Sequence, residues 1–428
     1  ILMTQIENEY ASFGNDASYM AWVRDTWIKN KIPGPFSTAD GLPQLTEKRT
    51  ILPGCAIGLD GENDISGAKI INSRAPVWIS EAYPGWLTHW GEKKLAHVEF
   101  VYDFSEIIRN NLSFNLYVVH GGTNFGFGAG ANAHQDGSEF QPVITSYDYD
   151  APINESGSPT TKYFAFRKLL TKHKLSAIPA VPESPPMTKF EPIKAHRAGS
   201  LWDAPGSVVS SKNPVSREHA LQQGQGMVLY RTIISAGIGG ELTLPPVHDH
   251  ARLFLQGDDI GTVSRVKPRD ATIVIQASEQ PRQLDIMIDS FGHIGYGAAL
   301  GDRKGLEGPV FLGNKPLYDW TIIGFPLDDM QVSALHMLPD CDFKNGFLFK
   351  CHFDRPEKGG VYIDMSCWKK GYVWVNGHAL GRFWDVGPQY RLFCPASWMR
   401  SSKNEVLILD YHQEHPANIR GYQTLNDR

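Results

Sequence analysis

The chain has no long hydrophobic run: nothing approaches the roughly 18 consecutive apolar residues that a membrane-spanning helix needs, so no membrane partner is expected. It also has no excess of charge of one sign. Lys and Arg total 41 against 46 Asp and Glu, giving a net charge of −5 and a pI near 6.3, and so no basic field for nucleic acid. Cysteine is scarce, with five residues at 55, 341, 351, 367 and 394 and no C-x-x-C spacing, which argues against a structural zinc site. A Cys341–Cys351 bridge in an oxidising compartment and buried free thiols remain equal alternatives. The Gly-rich loop at 124–130 lacks G-x-G-x-x-G and a P-loop lysine, so it is expected on an active face and not around a nucleotide. His120-Gly121-Gly122 has no G-x-S-x-G partner to supply a nucleophile. His248-Asp249-His250 and His97-x-Glu99 lack a third ligand, and Asp60–Asp64 lacks the ligand order of a Ca²⁺ loop. No metal or cofactor is expected.

What is present is a globular composition of 42% hydrophobic and 20% charged residues over 428 positions, a length that predicts two or three domains. Aromatics reach 11%; sugar rings stack their apolar C–H faces on such rings, so the excess suits a carbohydrate protein. Residues 1–175 alternate strand and helix. Strands are predicted at Leu2–Asn8, Pro35–Asp40, Pro53–Asp60, Pro76–Tyr83 and Phe114–Gly121, with helices at Asn15–Lys31, Lys93–Asn111 and Thr160–Lys172. Alternation of this kind implies a parallel sheet, and five strands look like the second half of an eight-stranded (β/α)8 barrel. The chain starts on a strand-like Ile1-Leu2, which reads as a fragment whose N-terminus lies upstream. A Pro-rich linker is predicted over 176–200. A β-sandwich is expected over 201–330 and a jelly roll over 331–428, the latter carrying the hairpin signal Asn376-Gly377.

Two carboxylates stand out in this frame. Glu9 closes Ile6-Glu7-Asn8-Glu9, and Glu81 closes Val77-Trp78-Ile79-Ser80-Glu81; each is followed closely by an aromatic. Catalytic groups of a parallel barrel sit at the C-terminal ends of its strands. Two carboxylates across one cavity are the equipment for cleaving a glycosidic bond. A lone Glu would be a solvated charge, so the pairing carries the argument. Trp374, Arg382 and Trp384 form a further candidate, a sugar-binding patch, set against plain packing.

Gln5–Tyr10, Ser80–Gly91, His120–Asn132 and Thr145–Leu169, with Gly371–Trp398 further on, resemble the glycoside hydrolase family 35 β-galactosidases. The resemblance implies a retaining, exo-acting hydrolase of terminal β-D-galactosyl groups, with Glu9 as acid/base on barrel strand four and Glu81 as nucleophile on strand seven. Asn8, Tyr83, Trp86, Tyr117 and Tyr149 fall on positions that line the family's galactose pocket. It further implies β-galactoside oligosaccharides or polysaccharide side chains as partners and a secreted or periplasmic location. Barrel strands one to three would lie upstream, leaving the isolated chain inactive. Ala82, more often aromatic in animal members, points to a bacterial-type relative. The rival readings are a hydrolase of the same mechanism acting on another β-glycoside, such as a β-glucosaminide, and a noncatalytic carbohydrate-binding protein.

Overall fold

A computed structural model describes residues 2–173, 178–204, 206–266, 272–338 and 347–426. Five strands near the N-terminus form one all-parallel sheet in chain order: β1 (Thr4–Gln5), β2 (Phe36–Asp40), β3 (Cys55–Asp60), β4 (Val77–Ala82) and β5 (Phe114–Leu116). Each lies inside a stretch predicted from sequence. β2 and β3 are buried along most of their length, as expected of parallel strands covered on both faces. Among the described residues the sheet does not close, because β1 and β5 are both edges.

The helices Ala17–Lys29 and Thr161–Lys172 start where cap residues dictate. Asp16 accepts from the backbone N–H groups of Ser18 and Tyr19, and Thr160 from that of Tyr163. The helix predicted over Lys93–Asn111 is shorter, Val101–Arg109. Before it, the Ala96 N–H bonds Thr88 Oγ1 and the Val98 N–H bonds an Asp150 carboxylate oxygen. These side chains take the donors that an earlier helical turn would use. Helices Leu42–Lys48 and Ile65–Ile71 were not expected; at seven residues each they are too short to show a clear period.

Among the described residues, the strands from Phe190 onward form two β-sandwiches. In the first, a six-stranded antiparallel sheet includes Met227–Ile234, Arg282–Asp289 and His250–Leu255. It shares a core with a four-stranded sheet through Val228, Tyr230, Leu242, Ile286 and Leu312. In the second, a five-stranded sheet with Lys370–Val375 at its interior packs on a four-stranded sheet around Phe349, Ile363 and Trp368. The outer faces of the two larger sheets meet each other, with Leu229, Phe254 and Met287 against Leu348, Trp374 and Leu407. Met227–Ile234 is buried almost throughout for that reason, and does not alternate as a strand with one solvent face would.

Residues 190–200 correct the linker expectation. Phe190–Lys194 and His196–Ser200 are strands that pair with Asn418–Tyr422 and Phe347–Phe353, because Phe190, Ala195 and Ala198 are needed in the cores. The turn Asn376-Gly377 forms as predicted, with both residues at positive φ between Lys370–Val375 and His378–Trp384.

The interface between the sandwiches holds a buried ionic knot. Asp289, fully buried, accepts from Lys370 Nζ and from the Tyr372 and Tyr411 hydroxyls at 2.8 Å each. The Lys370 ammonium lies 4.2 Å from the Phe291 ring centre and 4.9 Å from that of Trp384. Trp374, Arg382 and Trp384 are at most 5% exposed, and Arg382 donates to the Ser290 carbonyl and the Tyr372 hydroxyl. That patch is packing. His248, Asp249 and His250 are likewise taken up by structure: Asp249 pairs with Lys304 and Arg265, and His250 meets His412. No metal cluster occurs among the described residues. Cys351 is buried, and Cys341 lies outside the described residues.

Candidate functional site

Four carboxylates gather at the C-terminal ends of the parallel strands. Glu9 follows β1, and its backbone N–H donates to the Ala39 carbonyl at the end of β2 at 2.7 Å. Its φ of 52° is left-handed, a conformation costly for a side-chain-bearing residue and concentrated at functional positions. Asp40, closing β2, holds this turn: its carboxylate accepts from the Ala11 N–H at 2.8 Å and from Thr50 Oγ1 at 3.2 Å. Asp60 closes β3 and stands in register opposite Glu81 on β4. The Tyr83 hydroxyl bridges these two, with Asp60 Oδ1 on one side and Glu81 Oε2 at 3.1 Å on the other.

This crowding sets the protonation states. Burial, a hydrogen bond and negative charge from Asp60, and the charges of Glu81 and Asp40 all push the Glu9 carboxyl up, to about 8. Burial and Asp60 raise Glu81 as well, but the Tyr83 hydroxyl acts against that rise. Burial also lifts Asp40, to about 6. Of the Glu9–Glu81 pair, then, the leading influences on Glu9 all raise its carboxyl, whereas the Tyr83 hydroxyl lowers that of Glu81.

An aromatic wall stands beside the carboxylates. The Tyr83 ring meets Trp86 edge-on at 5.2 Å and Tyr117 at 6.1 Å; Tyr149 lies 6.2 Å from Trp86 and 6.1 Å from Tyr117. Trp86 is 46% exposed and Tyr149 only 5%, so Trp86 offers a surface that Tyr149 supports. The structure therefore brings together Glu9, Glu81, Tyr83, Trp86, Tyr117 and Tyr149. It does not bring the Asn8 side chain to the wall: Asn8 is exposed and accepts from Gln5 Nε2 at 2.8 Å. The Gly-rich loop also goes elsewhere, with Phe125 on Trp398 and Phe127 on Tyr372 of the second sandwich.

Asp40, Asp60 and Tyr147 were missed in the sequence. Asp40 and Asp60 carried the same signal as Glu81, an acid at the end of an apolar strand. Tyr147 stacks on Tyr149 at 5.1 Å and comes from a loop without a period.

Gly85 permits the wall to form. A Cβ there would lie 1.5 Å from the Tyr149 carbonyl oxygen, the atom that accepts the Trp86 N–H at 3.1 Å. Gly85→Ala is expected to displace Trp86 and Tyr149 and to cost on the order of 1–3 kcal/mol of stability, which a lower thermal unfolding midpoint would show.

Comparisons with known proteins agree on one family. Residues 1–173 match glycosyl hydrolases family 35, residues 214–328 the first all-beta domain of beta-galactosidase, and residues 347–404 the beta-galactosidase galactose-binding domain. Beta-galactosidase 17 of Arabidopsis thaliana is 31% identical over 97% of this chain and 66% of its own length. Beta-galactosidase-1-like protein 3 of Homo sapiens is 30% identical over 96% of this chain and 64% of its own. A beta-galactosidase of Xanthomonas manihotis is 31% identical over 94% of this chain and 68% of its own. Plant, human and bacterial relatives are thus about equally similar, and the chain spans about two thirds of their length. With these matches in the same order along the sequence, the chain belongs to glycosyl hydrolases family 35.

Proposed function

We propose that this protein is a retaining β-galactosidase that removes terminal nonreducing β-D-galactosyl groups from oligosaccharides or polysaccharide side chains. The single observation that carries the reading is the asymmetry of the Glu9–Glu81 pair beside an aromatic wall. Glu9, protonated, gives its proton to the glycosidic oxygen while the Glu81 carboxylate attacks the anomeric carbon. The aglycone leaves as an alcohol and a galactosyl ester forms on Glu81. Glu9, now ionised, takes a proton from water, whose oxygen attacks the same carbon and releases Glu81. Two inversions leave the β configuration unchanged. Trp86 is assigned to the sugar's apolar face, with Tyr117 and Tyr149 behind it and Asn8 at the sugar's edge once substrate draws it in. In this reading the five parallel strands are strands four to eight of a barrel, followed by the two β-domains, which meet near residue 330.

The decisive test is covalent labelling. A 2-deoxy-2-fluoro-β-galactosyl fluoride forms the ester quickly and releases it slowly, so peptide mapping of the labelled protein should find the sugar on Glu81. A label on another residue, or an α-configured first product by NMR, would overturn the mechanism.

A pH profile checks the roles. Activity should rise as Glu81 ionises above its raised value and fall as Glu9 loses its proton near pH 8. Asp60 contributes both a hydrogen bond and charge to that high value. Asp60→Asn is therefore expected to move the alkaline limb of kcat/KM down by on the order of one unit; an unmoved limb would remove Glu9 as the acid.

A further inference from the structure

A second cleft, built on different strands from the carboxylates, joins an aromatic side chain to fixed planar polar groups. It measures about 380 Å³ and is walled by Arg231, Phe254, Gln256, Gln283 and Asp285 of the first sandwich and by Trp202, which follows the strand His196–Ser200, within the range of small-molecule sites (about 300–1,000 Å³). It lies outside residues 347–404, the segment matched to a galactose-binding domain.

The polar groups are locked before any ligand arrives. Arg231 Nε and Nη2 donate to the two oxygens of Asp285 at 2.6 and 3.1 Å, and Gln283 Nε2 donates to Asp285 Oδ2 at 2.7 Å. Arg231 and Asp285 are direct cross-strand partners. Gln256 sits in the two-residue turn between His250–Leu255 and Asp258–Ser264, and its Oε1 accepts the Gln283 N–H at 2.6 Å. This leaves Arg231 Nη1, Gln256 Nε2 and Gln283 Oε1 without a protein partner among the described residues. Trp202, partly exposed, is braced edge-on by Phe254 at 5.7 Å and by a tilted Phe347 ring at 6.0 Å. Preorganisation of this kind lowers the entropic cost of binding.

The bland account is that the rings merely finish the inter-sandwich core, to which Phe254 and Phe347 do belong. It does not explain two donors and an acceptor held ready beside them. Arg231 and Asp285 cancel in charge, so the cleft has no net attraction for a phosphate or a carboxylate. Donors mixed with an acceptor suit hydroxyl groups, which do both, and an indole suits the C–H face of a sugar ring. We propose that this cleft is a noncatalytic carbohydrate site that takes one neutral pyranose residue, such as a chain end or branch of a polysaccharide.

The proposal is independent of the catalytic reading and is tested by binding. Saturation-transfer NMR with cellobiose, maltose and xylobiose, none of which carries a galactosyl end, should detect at least one of them, while glucuronate gives no transfer. Trp202→Ala should weaken that binding by about tenfold or more, and Gln283→Ala by about three- to tenfold, the share of a lost hydrogen bond or two. Glu81→Gly should leave it unchanged. No transfer from any of the three disaccharides would overturn the site. So would affinity that falls with Glu81→Gly yet survives Gln283→Ala, a change on the cleft wall that leaves the core intact.

Discussion

On the proposed mechanism, Glu81→Gly is expected to lose roughly 10⁴-fold or more in hydrolysis of nitrophenyl β-galactoside, the order seen when a covalent nucleophile is removed. Asp60 and Glu9 are close by but cannot replace it. Glu9 is held protonated by burial and by its acidic neighbours, and the Asp60 carboxylate is engaged by the Tyr83 hydroxyl. Glu9→Ala should behave differently, losing most on substrates with poor leaving groups, because a nitrophenolate departs without a proton. Azide separates the two roles. With Glu9→Ala it should intercept the galactosyl ester and give β-galactosyl azide; with Glu81→Gly it should attack directly and give the α-azide. The opposite products would exchange the assignments. Rescue of neither folded variant would remove the pair from the mechanism.

The second large effect is on stability. Asp289→Asn is expected to cost about 3–5 kcal/mol, because it leaves Lys370 and Arg382 buried without their counter-charge. The loss should appear as a lower thermal unfolding midpoint, whereas Asp25→Asn, in the exposed pair with Arg24, should leave the midpoint in place. Burial by itself would push the Asp289 carboxyl up, but Lys370, Arg382 and the Tyr372 hydroxyl hold it well below the ordinary carboxylate range. Its contribution is therefore complete above the unfolded value near 3.8 and is lost as pH falls below it. The gap between wild type and Asp289→Asn should narrow in acid; a gap that widened there would mean the knot does not stabilise the interface.

The sequence by itself determined the five parallel strands, their order and the strand ends that carry Glu9 and Glu81. Each strand is a short apolar run bounded by turn residues, and that information is local. The Asn376-Gly377 hairpin was legible for the same reason, since a two-residue turn at positive φ is encoded in two residues. Family membership was legible too, in motifs such as Ser80–Gly91. Only the tertiary structure decided what depends on distant partners. Nothing in the chain marks residues 190–200 as strands except the sheets they join, and nothing marks Trp374 or Arg382 as buried except the first sandwich lying against them. The helix at Val101–Arg109 was shortened by Thr88 and Asp150, and the latter is 52 residues from the N–H it captures. At the site, sequence named two carboxylates and folding supplied four. Asp40 and Asp60 matter through the field they impose on Glu9, and a field between charges is a property of distance in space, which a strand-end motif does not record.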